Sequence, residues 1–196
     1  MDQESRINNG KRFLQSLGFD DVNHSKRTLF DHLVSTGRLL QEWGCSEDVH
    51  LAGLFHAVYG TESFRYRSDL IVHREDVQEV IGMSAEQIAW LFGISTSKSM
   101  WMQFNCLNNS ANEQSKFLLT HRTTAEDLAC DRPELLALAN ITLANALDQA
   151  QHLPARYDEA KLATLRPLLP YVPLRGLETF KTISSHRKDT LAATSA

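Results

Sequence analysis

Proline is confined to the last third of this 196-residue chain, and the stretch before Pro133 contains none. Proline interrupts the interior of a helix, so this long stretch is free to form continuous helices. Apolar residues recur there at intervals of three and four, as in the run from Thr28 to Trp43. No segment shows the sustained alternation of apolar and polar residues that is typical of strands. The sequence therefore predicts an all-α fold.

Glycines and capping residues indicate where the predicted helices begin and end. Gly44 follows the first run as a C-terminal stop, and Ser46 is a typical N-cap for a second helix that ends at Gly60. Further helices are predicted over residues 74–81, 85–92, the apolar run after Pro133, 154–168 and 173–183. We expect one domain over residues 1–183 and a disordered polar tail over 184–196.

Residues 95–125 fit this pattern less well, because polar runs alternate there with scattered aromatic residues. We interpret this region as short helices and a loop. The loop either lies over a pocket or forms an ordinary packed connection.

Charge and cysteine content narrow the class of protein. The 20 Lys and Arg residues against 24 Asp and Glu residues argue against a nucleic-acid partner. Three widely spaced cysteines, a polar N-terminus and the lack of a long apolar run predict a cytoplasmic protein without a membrane partner. Any metal chemistry would depend on nitrogen and oxygen ligands, since the chain has eight histidines.

Two histidines fall on the inward sides of adjacent predicted helices. His32 lies in the first run and His56 in the second, and the short turn between the runs makes the helices antiparallel. Two facing imidazoles can form a metal site or an acid–base site. Four other histidines do not fit this pattern, and we expect them at the surface: His50, His121, His152 and His186.

The helix after Pro133 carries Asn145, Asp148 and Gln149 on neighbouring positions of one stripe. Burial of such polar groups requires hydrogen-bond partners, which a pocket can supply. For Asp148, an exposed position at the end of the helix is the alternative.

The strings FDHL, AGLFHAVYGTESF and LANALDQ resemble the HD-domain superfamily of metal-dependent phosphohydrolases. The resemblance covers about residues 28–150, and REDVQEVIGMSAEQIAWLFG is similar to the matching segment of stringent-response alarmone hydrolases. The chain is more similar still to an uncharacterised HD-related family with an HxxYGT string, which His24 also fits. The resemblance implies an HD-like helical bundle in which His32 and His56 match the first two metal ligands.

Two departures from the family pattern change what the resemblance implies. Ala57 stands where the family has the Asp after its second His, and Asn145 stands where it has its last Asp. Alanine offers no ligand atom and an amide is a poor substitute for a carboxylate. A rebuilt site of His32, His56 and Glu62 would suit Fe, Mn or Zn, with His24 or water as a further ligand.

The alternative is that no metal binds and that the imidazoles perform acid–base chemistry with Tyr59 and Glu62, or only hold a ligand. We expect a small-molecule enzyme with a remodelled HD-type pocket, acting in specialised metabolism. A non-catalytic ligand-binding or scaffold protein is the first alternative, and an iron-dependent HD-type oxygenase is the second. A homodimer is left open. The expected catalytic residues are His56, Glu62 and Tyr59, and the expected substrate-binding residues are His24, Arg65, Asn145 and Gln149.

Overall fold

The structure is a computed structural model that describes residues 3–62, 64, 71–109, 116–153 and 156–194. Helices predominate in this part of the chain, which confirms the all-α prediction. They are α1 (Gln3–Ser16), α2 (Leu29–Glu42), α3 (Glu47–Phe55), α4 (Arg74–Ile81), α5 (Met83–Ile94), α6 (Ser97–Asn109), α7 (Arg132–His152), α8 (Glu159–Ala163) and α9 (Leu174–Thr194), with a 3-10 helix over Arg166–Tyr171. None of the helices within the described ranges is long and apolar enough to cross a membrane.

Two small antiparallel hairpins accompany the helices, so the expectation that the chain forms no strands is wrong. The strands β1 (Asn23–His24) and β2 (Arg27–Thr28) form the first, and β3 (Lys116–Thr120) and β4 (Asp127–Asp131) form the second. These strands have only two to five residues, too few to give a sustained period-two pattern. The region of mixed pattern therefore holds α6 and β3, and residues 110–115 between them lie outside the described part.

The helix boundaries follow local capping chemistry. Thr28 accepts a hydrogen bond from the Asp31 backbone and closes a capping box at the start of α2. Asp131 does the same with Glu134 at the start of α7, where a proline occupies the first turn. The last helix, α9, includes residues 184–194 and so covers most of the segment for which we expect a polar tail. Its Leu, Ala, Lys and Arg residues are good helix formers, which lets the helix continue from its packed first turns.

Close contact between α2 and α3 fixes the centre of the core. Gly37 and Gly53 lie at the crossing, where a Cβ atom on Gly37 would come within 3.1 Å of the Leu54 side chain. The antiparallel pair results from the tight turn at Gly44, which has a φ of +80°. The expectation that His50 lies at the surface is wrong, because His50 on α3 is only 3% exposed.

The helix α7 packs across both of these helices and is apolar around most of its circumference. Such a helix has to be buried on several sides, and most of its leucine and alanine residues are fully buried. Consequently, polar side chains on α7 are also drawn into the interior.

Candidate functional site

A cavity of about 590 Å³ opens where the β1–β2 hairpin, α2, the turn after α3 and α7 meet. This volume falls within the range of small-molecule sites. The cavity wall includes His24, His32, His56, Glu62, Asn145 and Gln149 from the residues that the sequence singles out.

Three histidine rings follow one another along the wall of this cavity. The ring centroids of His24 and His32 are 4.6 Å apart, and those of His32 and His56 are 5.1 Å apart. The edges of Phe64 and Phe92 flank the two ends of this row. His32 and His56 are almost completely buried, so the antiparallel helices bring the two inward imidazoles together.

The β1–β2 hairpin places one histidine and one lysine at the cavity. Its two turn residues, Ser25 and Lys26, have φ values of 50° and 66°. Two consecutive left-handed residues are typical of a two-residue hairpin turn, where Asn and Gly are usual. Neither Ser nor Lys favours this conformation, so the turn carries backbone strain of roughly 1–3 kcal/mol per residue. The strained turn holds His24 and Lys26 in the wall of the cavity.

Asp148 on α7 is 1% exposed and anchors the central histidine. Its Oδ2 atom lies 2.6 Å from Nδ1 of His32 and also accepts a hydrogen bond from the Arg27 guanidinium. Burial raises the pKa of Asp148, but hydrogen bonds from His32 and Ser35 lower it more. The net effect is a pKa below the ordinary range, so the carboxylate is ionised at neutral pH.

The sequence gives no reason to choose Asp148 over its neighbours on the same stripe. Its position three residues after Asn145 and one before Gln149 predicts only a shared helix face. The packing of α7 against α2 decides that Asp148 reaches His32. Arg27 was missed for a similar reason, since its partner is 121 residues away in the chain.

His56 and His24 are neutral at physiological pH. Burial, and then the neighbouring His32, lower the pKa of His56 to about 3. The same two causes, with Arg27 third, lower the pKa of His24 to about 4. Nδ1 of His56 lies 2.7 Å from the Gly53 carbonyl oxygen, which requires the proton on Nδ1. The Nε2 atom of His56 is therefore a hydrogen-bond acceptor.

The turn that carries His56 packs tightly against α5. A Cβ atom on Gly93 would come within 2.8 Å of the Gly60 carbonyl oxygen. From the other side, Arg122 donates a hydrogen bond of 2.9 Å to the carbonyl of Tyr59. Both contacts fix the position of the residues that follow α3.

Polar residues on α7 form a hydrogen-bonded chain along another part of the wall. Gln149 donates from Nε2 to Oδ1 of Asn145 at 2.8 Å, and the Tyr157 hydroxyl donates to Oε1 of Gln149 at 3.1 Å. Each amide retains further hydrogen-bonding capacity toward the cavity. Tyr157 is a wall residue that the sequence did not point to.

The remaining residues singled out from the sequence are placed differently. The Glu62 carboxylate lines the cavity and accepts a hydrogen bond of 2.8 Å from the backbone of Ser97 at the start of α6, which lowers its pKa. The Tyr59 hydroxyl instead donates to Glu86 at 2.8 Å, and Tyr59 is absent from the described cavity wall. Arg65 lies outside the described residues.

Glu86 forms the centre of a second buried network, on the side of α5 that faces Tyr59. Its carboxylate is fully buried and pairs with Arg74 at 2.6 Å, and Gln78 donates to the same oxygen. Burial raises the pKa of Glu86, but the hydrogen bonds from Arg74 and Gln78 act in the opposite direction. The net result is a pKa below the ordinary value. Burial and the Glu86 bond raise the pKa of Tyr59, so its phenol stays protonated.

The donor set around the cavity does not fit a divalent metal site of the HD type. Ala57 offers no donor beside His56, Asn145 offers a neutral amide, and Asp148 is engaged by His32 and Arg27. Across the described residues, no three His, Cys, Asp or Glu side chains form a group that could hold a metal ion. The predicted set of His32, His56 and Glu62 is thus not gathered into such a group.

Comparison with known proteins identifies the class of fold. The solved structure of a metazoan ortholog of SpoT that hydrolyzes ppGpp is similar over 91% of this chain and 95% of that chain, with a TM-score of 0.53 and 13% identity. Such a likeness shows the fold alone, which is the helical bundle of HD-domain hydrolases. This confirms the predicted HD-domain-like fold.

Comparison at the level of sequence does not identify a characterised family. A family model described as "Domain of unknown function (DUF6817)" matches residues 13–96. No curated protein matches the chain. The resemblance to an HD-related family with an HxxYGT string stays a prediction.

Proposed function

We propose that this protein is a small-molecule enzyme in which His32, oriented by Asp148, acts as a general base without a catalytic divalent metal. The observation that carries the proposal is the buried contact of 2.6 Å between His32 Nδ1 and Asp148 Oδ2. A carboxylate on one ring nitrogen fixes the tautomer and leaves the other nitrogen as the base. His32 belongs to the cavity wall, so Nε2 is the atom that acts on a bound molecule.

Arg27 supports this role through Asp148. Its guanidinium favours the ionised carboxylate, which in turn stabilises the imidazolium that forms when His32 accepts a proton. The carboxylate itself takes no proton in this scheme. Arg27 and Asp148 are therefore positioning residues, and His32 is the residue that contacts the reacting atoms.

His56 supplies a second acceptor beside the base. A water molecule can donate one hydrogen bond to Nε2 of His32 and another to Nε2 of His56. Proton transfer to His32 then makes the oxygen nucleophilic, and the resulting imidazolium returns the proton to the leaving group. Hydrolysis of a small molecule fits this sequence of steps, and ppGpp hydrolysis by the structurally similar protein supports the same reaction class.

The charges of the cavity wall favour an anionic substrate. Lys26 and Arg156 contribute positive charge, and Glu62 is the single acidic residue among the described residues of the wall. Asn145 and Gln149 offer amide groups for orientation, and His24 offers a neutral imidazole. Tyr59, which is bound to Glu86, is assigned a supporting role in the turn that carries His56.

The two alternatives differ in what they require of the same cavity. A non-catalytic ligand-binding protein would use these groups without proton transfer. An iron-dependent oxygenase requires a set of His and carboxylate ligands that the described residues do not gather. The specialised-metabolism setting is a further part of the proposal and depends on the substrate.

Hydrolysis of small reporter esters tests the proposal directly. The chelator-treated protein is assayed with p-nitrophenyl acetate, p-nitrophenyl phosphate and bis(p-nitrophenyl) phosphate. We expect turnover of at least one ester, which His32→Asn lowers by roughly 10²–10⁴-fold because a general base contributes that much. Asp148→Asn is expected to lower kcat more than it raises KM.

His152→Asn is the matched control, because His152 lies exposed at the end of α7. It should leave turnover unchanged. Equal activity of His32→Asn and wild type would refute the general-base role. Turnover that disappears with chelation and returns with Fe, Mn or Zn would refute the metal-independent mechanism. Tight binding of the esters without turnover would favour the ligand-binding alternative.

A further inference from the structure

A second cavity of about 150 Å³ lies on the opposite side of α2, between α1 and α3. Apolar side chains of Ile7, Val34 and Leu54 form much of its wall. An apolar cavity of this volume holds roughly one benzene ring. None of its wall residues belongs to the central cavity, so the two cavities are separate.

His50 is the polar residue in the interior of this second cavity. It is 3% exposed, and neither ring nitrogen has a hydrogen-bond partner among the described residues. Buried polar groups are nearly always hydrogen-bonded, so an imidazole with two unpartnered nitrogens is unusual. A ligand with a hydroxyl or similar group at its buried end would satisfy it.

The mouth of the cavity carries positive charge. Lys11 is half-buried, whereas Arg38 and Gln41 are exposed, so these residues lie nearer to solvent than His50 does. Arg38 also forms an ion pair with Glu42 at 3.2 Å. Lys11 is the cation of the cavity wall that does not share its charge with Glu42. From interior to mouth, the cavity offers a hydrogen-bonding imidazole, an apolar slot and a cation.

We propose that this cavity is a second binding site, which takes a small aromatic carboxylate with a hydroxyl group at the far end of its ring. The hydroxyl hydrogen-bonds to His50, the ring lies between Ile7, Val34 and Leu54, and the carboxylate reaches Lys11. The site does not depend on the catalytic role of His32.

Titration calorimetry with 4-hydroxybenzoate tests this site, with benzoate and phenol as matched probes. We expect wild-type protein to bind 4-hydroxybenzoate with a Kd below roughly 1 mM and each simpler probe at least tenfold more weakly. His50→Leu, which is apolar and of similar size, should reduce the preference for 4-hydroxybenzoate over benzoate to less than about threefold. Lys11→Met should likewise remove the preference over phenol.

His32→Gln and His152→Gln serve as controls, because neither residue lines the second cavity. Both variants should bind 4-hydroxybenzoate as the wild type does. Absence of binding to wild-type protein would overturn the proposal, as would loss of binding in His32→Gln but not in His50→Leu. If His50→Leu fails to fold, the ring nitrogen NMR shifts of His50 in wild-type protein decide: a shift on titration supports the site, and no shift overturns it.

Discussion

Replacing Asp148 by Asn removes one charge from a buried ion pair while keeping the shape of the side chain. In the wild type, one carboxylate oxygen accepts hydrogen bonds from both His32 and Arg27. The amide of Asn can accept only on its oxygen and presents its nitrogen as a donor. The Asn oxygen can still accept from both donors, but the negative charge is gone, so the Arg27 charge is left without compensation.

The magnitude follows from how deeply the pair is buried. Removal of one partner from a buried ion pair costs about 3–5 kcal/mol. The Arg27 side chain is 16% exposed and can recover some hydration, so we expect a loss near the lower end, about 3 kcal/mol. For a chain of this length, such a loss lowers Tm by roughly 6–12 °C.

The effect depends on pH with a defined sign. The pKa of folded Asp148 is below its ordinary value of 3.8, so its stabilising contribution is complete above that value. The contribution is lost as pH falls through the folded pKa, because protonation removes the charge that Asn also lacks. The difference between wild type and Asp148→Asn should therefore be constant near neutral pH and shrink below about pH 4.

Urea unfolding at pH 7 and in the acid range measures this difference. Asp158→Asn is the matched control, because exposed Asp158 caps α8 and Asn caps a helix equally well. We expect the control to change the free energy of unfolding by less than about 0.5 kcal/mol. An Asp148→Asn effect as small as that of the control would refute the buried ion pair and the orienting role derived from it.

Three further predictions concern neighbouring parts of the structure. Because the pKa of His56 is lowered from 6.5 to about 3, unfolding takes up a proton below pH 6.5, and this group alone should cost up to roughly 2 kcal/mol of stability between pH 6.5 and 5. Urea unfolding of His56→Asn should show a weaker dependence on pH over that interval; an unchanged slope would contradict the buried neutral ring. Glu86→Gln leaves the partly exposed Arg74 without its carboxylate and should destabilise the fold by roughly 2 kcal/mol in urea, whereas no change would refute the buried network. Gly93→Ala should lower stability by roughly 1–3 kcal/mol, because the added methyl group meets the Gly60 carbonyl, and a thermal melt equal to wild type would show that the turn can move.

The helices could be predicted from the sequence because the signals that define them are local. The run from Thr28 to Trp43 predicted a helix that the structure places at Leu29–Glu42, with those two residues as its caps. The helix over residues 74–81 also has the predicted bounds. Apolar spacing, caps and terminal glycines act within a few residues of each other, so one sequence suffices to find them.

Only part of the candidate site could be predicted from the sequence. The tight turn between two helices was sufficient to predict that His32 and His56 face each other. The hairpin that positions His24 was missed, because its strands have two residues each and its turn lacks the usual Asn-Gly pair. Asp148 was considered only as one of three polar residues on a stripe.

The sequence by itself determined an all-α chain, the approximate bounds of its main helices and the inward position of two histidines. It also determined that Ala57 and Asn145 stand where an HD metal site needs carboxylates. Only the tertiary structure decided that Asp148, 116 residues from His32, is the carboxylate that engages this imidazole. Helix patterning constrains neighbours three and four residues apart, whereas partners this distant in the chain meet only through the packing of whole helices.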